Sequence, residues 1–131
     1  MANQKRVCAS DRLPPPVGPY SQAIAYGDLL FCSGIIAMDP ETNSIVGDDI
    51  ETQTRRVLDN LSALLEDLGT GLDNVLKTTV FLSNMEDFKR FNAVYESYFA
   101  SEPPARSTVE VARLPLDVLI EVEAIVAMSQ Q

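Results

Sequence analysis

The sequence predicts an α+β domain in which two helices cover one face of a mixed sheet of about six strands. Three features carry that expectation: two stretches with apolar residues at helical spacing, several short runs rich in β-branched residues, and Gly or Pro punctuation between them. The order is hairpin, helix, strand, helix, strand, strand, which suits a layer of helices on a layer of sheet. A chain of 131 residues is one domain, residues 1–131, and can bury a core without a disulfide or a metal.

Residues 1–16 read as an extended N-terminal arm, since Pro14, Pro15 and Pro16 stiffen the chain against helix. Residues 20–26 and 29–36 flank Gly27-Asp28, a tight-hairpin signal. Asp39, Pro40, Asn43 and Gly47 mark loops around a short strand at 44–46. Asp48, Asp49 and Glu51 then open a helix. Val57, Leu58, Leu61, Leu64, Leu65 and Leu68 supply its apolar stripe, and Gly69 ends it. Residues 75–83 (VLKTTVFLS) read as a strand. Residues 85–100 read as a second helix with Phe88, Phe91, Tyr95, Tyr98 and Phe99 near one face, and Pro103 and Pro104 break it. Residues 106–112 and 118–128 are the last two strands.

Composition removes several chemistries. The chain has no His, so Ser-His-Asp and Cys-His nucleophiles are excluded and the commonest metal ligand is missing. Acid–base work falls to carboxylates, Tyr, Lys, Cys or water. Cys8 and Cys32 make neither a disulfide framework nor a metal set, and Cys32 reads as a small buried hydrophobe. A net charge of −9, from 10 basic and 19 acidic residues, opposes nucleic acid and anionic membrane surfaces. The segment MANQKRVCAS has no signal-peptide core and no stretch approaches membrane-spanning length, so a cytoplasmic location is expected.

Strand side chains alternate between faces. Ile120, Val122, Ala124 and Val126 form a helix-packing surface, opposed by Leu119, Glu121, Glu123, Ile125 and Ala127. Val109 and Val111 oppose Arg106, Thr108, Glu110 and Ala112, and Lys77 and Thr79 are expected to share a face with Val75 and Phe81. The face away from the helices is expected to mix Arg106 and Glu121 with Leu119, Ile125 and Phe81. It is either a wet face with scattered hydrophobes or a second buried face covered by other copies of the chain; one chain has no third layer to supply. Arg106 is the best carboxylate anchor, because its fork matches two oxygens at once. Glu121 is the best base or water-holding group if it faces the same cavity. The alternative for both is a structural salt bridge, Arg106 with Glu121, Glu123 or Glu110.

Several motifs carry a family resemblance. Pro104-Ala-Arg-Ser-Thr-Val-Glu-Val-Ala-Arg-Leu-Pro115 followed by Ile120-Glu-Val-Glu-Ala124 resembles the C-terminal signature of the Rid/YjgF family, whose older label is endoribonuclease L-PSP. Val17-Gly-Pro-Tyr-Ser-Gln22, Ser33-Gly34, Asp59-Asn60-Leu61, Val75-Leu-Lys-Thr-Thr-Val80 and Asp87-Phe88 with Asn92 extend it over residues 16–128. The resemblance implies a chorismate-mutase-like fold and a homotrimer with a central barrel and clefts between subunits. It implies an imine deaminase, acting on 2-aminoacrylate, 2-iminopropanoate or 2-iminobutanoate to release 2-keto acids and ammonia without a metal or organic cofactor. Arg106 would grip the substrate carboxylate and Glu121 would position water, with Tyr20, Ser33, Gly34, Asn92 and Thr108 lining the cleft.

Two positions depart from the pattern. Thr108 stands where many bacterial relatives carry Cys, which puts thiol chemistry there in doubt, and Ile35 replaces a common Gln. Two rival functions remain: an endoribonuclease or translation inhibitor, against which the charge and the lack of an aromatic-plus-basic stripe argue, and a non-catalytic trimer that binds small carboxylates.

Overall fold

The computed structural model describes residues 4–128, so residues 1–3 of the expected arm and the last three of the domain lie outside the described residues. The elements are β1 (Arg6–Cys8), β2 (Ala23–Tyr26), β3 (Leu29–Ile35), β4 (Met38–Asp39), β5 (Ser44–Ile45), α1 (Ile50–Asp67), β6 (Val75–Leu82), α2 (Phe88–Tyr98), β7 (Ala105–Glu110) and β8 (Ile120–Ala127). Six strands form a mixed sheet in the order β1-β2-β3-β8-β6-β7, in which only β6 and β7 run parallel. β4 and β5 make a separate two-stranded ribbon.

Local chemistry sets the helix ends. Asp49 caps α1, its side chain accepting from the Thr52 backbone N–H at 2.9 Å. Gly69, at φ 85°, turns the chain out of α1; its N–H reaches the Glu66 carbonyl while that of Thr70 reaches Leu65. Those two bonds form a Schellman motif, satisfying carbonyls that the helix end would orphan. The second helix is shorter than its apolar pattern, because Met85–Asp87 is a 3-10 turn leading into α2. Asn84 opens that turn by accepting from the Glu86 N–H at 2.9 Å.

Both helices lie on one sheet face. Val57, Leu58, Leu61, Leu64 and Leu65 of α1 and Phe91 of α2 meet Leu30, Val80, Leu82, Ile120, Val122 and Val126, all at most 1% exposed. The Thr78 hydroxyl pairs with the Tyr95 hydroxyl at 2.7 Å, satisfying two polar groups inside this layer. Cys32 is buried, and burial pushes its thiol up to about 12.

Three expectations need correction. The arm is not merely extended: Arg6–Cys8 adds an edge strand, pairing antiparallel with β2 from Arg6↔Ala25 to Cys8↔Ala23. Val75 lies on the helix face with Val126, not with Lys77 and Phe81, because a bulge between Val75 and Lys77 breaks the alternation. The third concerns Arg106. Parallel pairing sets Arg106 beside Thr78 and Thr108 beside Val80, both buried under the helices. Arg106, Thr108 and Glu110 therefore point to the helix side, whereas Val109, 42% exposed, points away. The valines of an edge strand had suggested the reverse.

Leu61→Ala, at the α1–sheet contact, is expected to cost about 2–5 kcal/mol through lost burial and a residual cavity. Asp49→Ala should cost about 1 kcal/mol through the lost cap. Urea titrations of both variants, with unchanged slope, check these values.

Candidate functional site

The residues singled out in the sequence fall into two groups on opposite sides of the sheet. The first surrounds a cavity of about 540 Å³ at one end of the sheet. Tyr20, Ser33, Gly34 and Glu121 line it, together with Ile35 and Asn60. Its outer wall is the arm, through Leu13, Pro14, Pro15 and Val17, and Pro115 and Leu116 close the far side.

Glu121 reaches this cavity because β8 alternates Ile120 and Val122 inward with Glu121 outward. The β3–β8 register slips between Cys32 and Ile35, which makes a bulge at Ser33-Gly34. The carboxylate packs so closely on that bulge that a Cβ at Gly34 would lie 2.8 Å from Glu121 Cδ. A side chain at position 34 would therefore displace the Glu121 carboxylate from this place. Among the described residues no hydrogen bond or ion pair holds Glu121. Burial raises its carboxyl above the ordinary range, and repulsion from Glu123, two residues along the same face, adds to the rise.

Polar contacts fix the cavity's frame. Ser33 donates from its hydroxyl to the Ser21 carbonyl at 2.6 Å. The Gln22 amide accepts from the Ser10 N–H at 2.7 Å and donates to the carbonyls of Ser10 and Pro14, clamping the arm. Asn60 donates to the carbonyls of Ile36 and Met38 and ties the β3–β4 connection to α1. The arm is also tied to the end of α1, Ser10 by a short hydrogen bond to Asp67 and Arg12 by salt bridges to Asp67 and Glu66. Leu116 and Asp117 both hold φ near 56°, strained for these residues, and Arg113 grips Asp117 at 2.7 Å.

The second group is Arg106, Thr108 and Asn92. Arg106 lies over the rings of Phe88, Phe91 and Tyr95, at 5.6, 5.2 and 4.8 Å from the ring centres. It has no salt bridge among the described residues, so the expected structural pairing with Glu121, Glu123 or Glu110 is not made. Thr108 presents a buried hydroxyl with no hydrogen-bond partner. Asn92 is half-buried on α2, next to Phe91. The expectation that Arg106 and Glu121 share a face is overturned: within one chain they point to opposite sides of the sheet. Sequence reasoning missed the aromatic surroundings of Arg106, visible in the sequence only as a helical stripe. It also missed the arm and Leu116 as cavity walls, for which polar and Pro-rich segments give no periodic signal.

Another depression, of about 510 Å³, lies by Glu66, Gly69–Asn74 and Ser62 and contains none of these residues. No helix among the described residues is long and apolar enough to cross a membrane.

A family model described as Endoribonuclease L-PSP matches residues 11–128. A RutC family protein of Saccharolobus solfataricus is 50% identical over 125 residues, covering 95% of this chain and 99% of that protein. The chain belongs to the Rid/YjgF family. Another member of the Rid/YjgF family, the 2-iminobutanoate/2-iminopropanoate deaminase of Salmonella typhimurium, is 42% identical over 123 residues, or 92% of this chain and 95% of that one. The crystal structure of the YjgF gene product from E. coli matches with a TM-score of 0.89 at 40% identity, covering 95% of this chain and 99% of that one. The helix-covered mixed sheet is therefore the Rid/YjgF fold, and the family includes imine deaminases.

The raised Glu121 pKa links to stability with a definite sign. Its folded pKa lies above the unfolded one, so its contribution to folding is fully present below the unfolded pKa and is lost as pH rises through the folded pKa. Glu121→Gln cannot ionise and escapes that loss. Thermal melts should show the variant more stable than the parent at neutral pH, with the gap closing in acid; an equal gap at every pH would contradict the assignment.

Proposed function

We propose that this protein is a hydrolytic deaminase of 2-imino acids whose site is shared between two copies of the chain. The observation that carries the reading is an unpaired, partly desolvated carboxylate in a walled cavity, together with an arginine that has no carboxylate partner. The two point to opposite faces, on strands two positions apart in the sheet, roughly 10 Å at ordinary strand spacing. A substrate of three or four carbons cannot touch both within one protomer. Arg106 of one copy therefore meets Tyr20, Ser33, Gly34 and Glu121 of its neighbour.

The open sheet face supports association. Phe31 and Val109 are each 42% exposed there, and Phe81 and Ile125 lie half-buried on the same side. Apolar surface of this kind, with no layer of its own to cover it, favours closure by further copies. Three copies, each contributing one sheet to a central barrel, complete the assembly and three clefts.

The chemistry needs little from the protein. Arg106 binds the substrate carboxylate through its fork and fixes the imine carbon beside a water held by Glu121. As the water attacks that carbon, one of its protons passes through Glu121 to the imine nitrogen, giving a neutral tetrahedral carbinolamine. Glu121 then takes the remaining hydroxyl proton as the carbonyl forms and delivers it to nitrogen, the C–N bond breaks, and ammonia leaves a 2-keto acid. A carboxyl with a raised pKa suits a group that both takes and returns a proton. Thr108 supplies no nucleophile comparable to a thiol, and none is required. Ile35 makes the cleft less polar where a Gln is common.

In a coupled assay with a serine/threonine dehydratase, purified protein should speed ammonia and 2-keto acid release. Arg106→Ala and Glu121→Ala should each lower that rate at least about 100-fold, the usual scale of positioning plus one proton shuttle. Glu121→Ala should retain binding of the 2-keto acid, which separates an enzyme from a binding protein. Subunit mixing tests the shared cleft. Randomly mixed assemblies of the two inactive variants place a wild-type Arg106 against a wild-type Glu121 in about one cleft in four. Recovery of activity on mixing is expected, and no recovery would show that each site belongs to one chain.

A further inference from the structure

We propose that Phe88 and Tyr95 are positioning residues that hold the Arg106 guanidinium, unpaired with any acid, in the orientation needed to grip the substrate carboxylate. This inference rests on the reading of Arg106 given above and assigns the groups that make it work.

An arginine on an edge strand, on the side covered by helices, ordinarily finds a carboxylate, and buried charge without a partner is costly. Here the acids at the start of α2 and farther along the same face of β7 are engaged elsewhere. Asp87, one residue before Phe88, is bound by Arg90 at 2.5 Å. Glu110, on the same face of β7, accepts from the Met85 backbone N–H at 2.7 Å. What surrounds Arg106 instead is a ladder of rings on one face of α2. Phe88, Phe91 and Tyr95 follow at helical spacing, with ring centres 6.3 and 5.3 Å apart, and the guanidinium lies within 5.6 Å of all three.

Ring faces attract a guanidinium without occupying its N–H donors. An acid in the same place would fill the fork that has to receive the ligand, and the ligand would have to displace it. The cradle gives orientation and partial compensation of the charge while leaving the donors free. The ring nearest the guanidinium is pinned from the sheet: the Tyr95 hydroxyl pairs with that of Thr78, which is the direct neighbour of Arg106 across β6 and β7. One residue pair thus registers the rings of α2 against the strand that carries the arginine. Phe91 is wholly buried and serves the core as well, whereas Phe88 is only half-buried, so its ring can be exchanged with less effect on folding.

The test compares Phe88→Leu, which keeps bulk and loses the ring, with Phe88→Tyr, which keeps the ring. Arg106→Ala is the reference. Titration calorimetry with 2-oxobutanoate gives Kd, the coupled assay gives KM and kcat, and thermal melts report folding. Phe88→Leu is expected to weaken 2-oxobutanoate binding about 3- to 30-fold, the range of one cation–π contact. KM should rise in step while kcat changes much less, and Phe88→Tyr should restore both Kd and KM. Tyr95→Phe, which keeps the ring and loses the tie to Thr78, should fall between Phe88→Tyr and Phe88→Leu. Wild-type affinity in Phe88→Leu, or weakening that follows the loss of melting temperature and is not rescued by Phe88→Tyr, would overturn the proposal while leaving the role of Arg106 intact. Unchanged binding in Arg106→Ala would overturn both.

Discussion

A sheet with one face sealed and one face open is the constraint on which the rest of this molecule depends. The two helices provide enough apolar surface for one side, and α1 alone contributes six apolar side chains at most 1% exposed. Among the described residues, no helix covers the other side. On the proposed reading, residues on the strands divide into those that build the protomer and those that belong to an assembly. Glu121 falls in the second class and Arg106, against first expectation, sits among the helix-facing groups. A cleft that requires both must be built from more than one chain, so topology and association become parts of the same chemical argument.

Much of the fold was legible in the sequence because the signals were local. Asp49 and Gly69 marked the two ends of α1 through side-chain capping and a left-handed exit, both properties of single residues. Alternation placed Glu121 and Ile120 on the correct sides of β8. What failed depended on pairing between distant strands. Arg106 was assigned to the wrong face because β7 aligns parallel to β6 at the sheet edge, and an edge strand can present Val109 outward while its arginine packs inward. Val75 was misplaced by a bulge, which shifts the two-residue period without leaving a composition signal. β1 was missed because it joins the sheet through backbone hydrogen bonds while Val7 stays 69% exposed. The motif residues were recognisable by type and order, but which of them could meet was a property of register.

The two ionisable groups of the candidate site are kept available in different ways. Glu121 packs against a glycine bulge and has no partner among the described residues, at the expense of a harder ionisation. Arg106 is surrounded by aromatic carbon, while Asp87 and Glu110 are tied to Arg90 and to a backbone N–H. Both arrangements forgo a stabilising internal salt bridge. Active sites commonly give up stability in this manner to keep reactive or binding groups unsatisfied until the ligand arrives.

The arm that walls the cavity is fastened unlike the floor beneath it. Its start is the edge strand β1; beyond that Leu13 is its main apolar anchor, helped by the Gln22 amide and by Ser10 and Arg12 on the last turn of α1. Arg12 and Glu66 are more than half exposed, where screening makes ion pairs weak. Detaching the part of the arm beyond β1 would expose Leu13 and break these polar contacts, while the apolar layer between α1 and the sheet keeps its own contacts. Salt therefore loosens the Arg12 ties of this wall while leaving the apolar layer beneath it untouched.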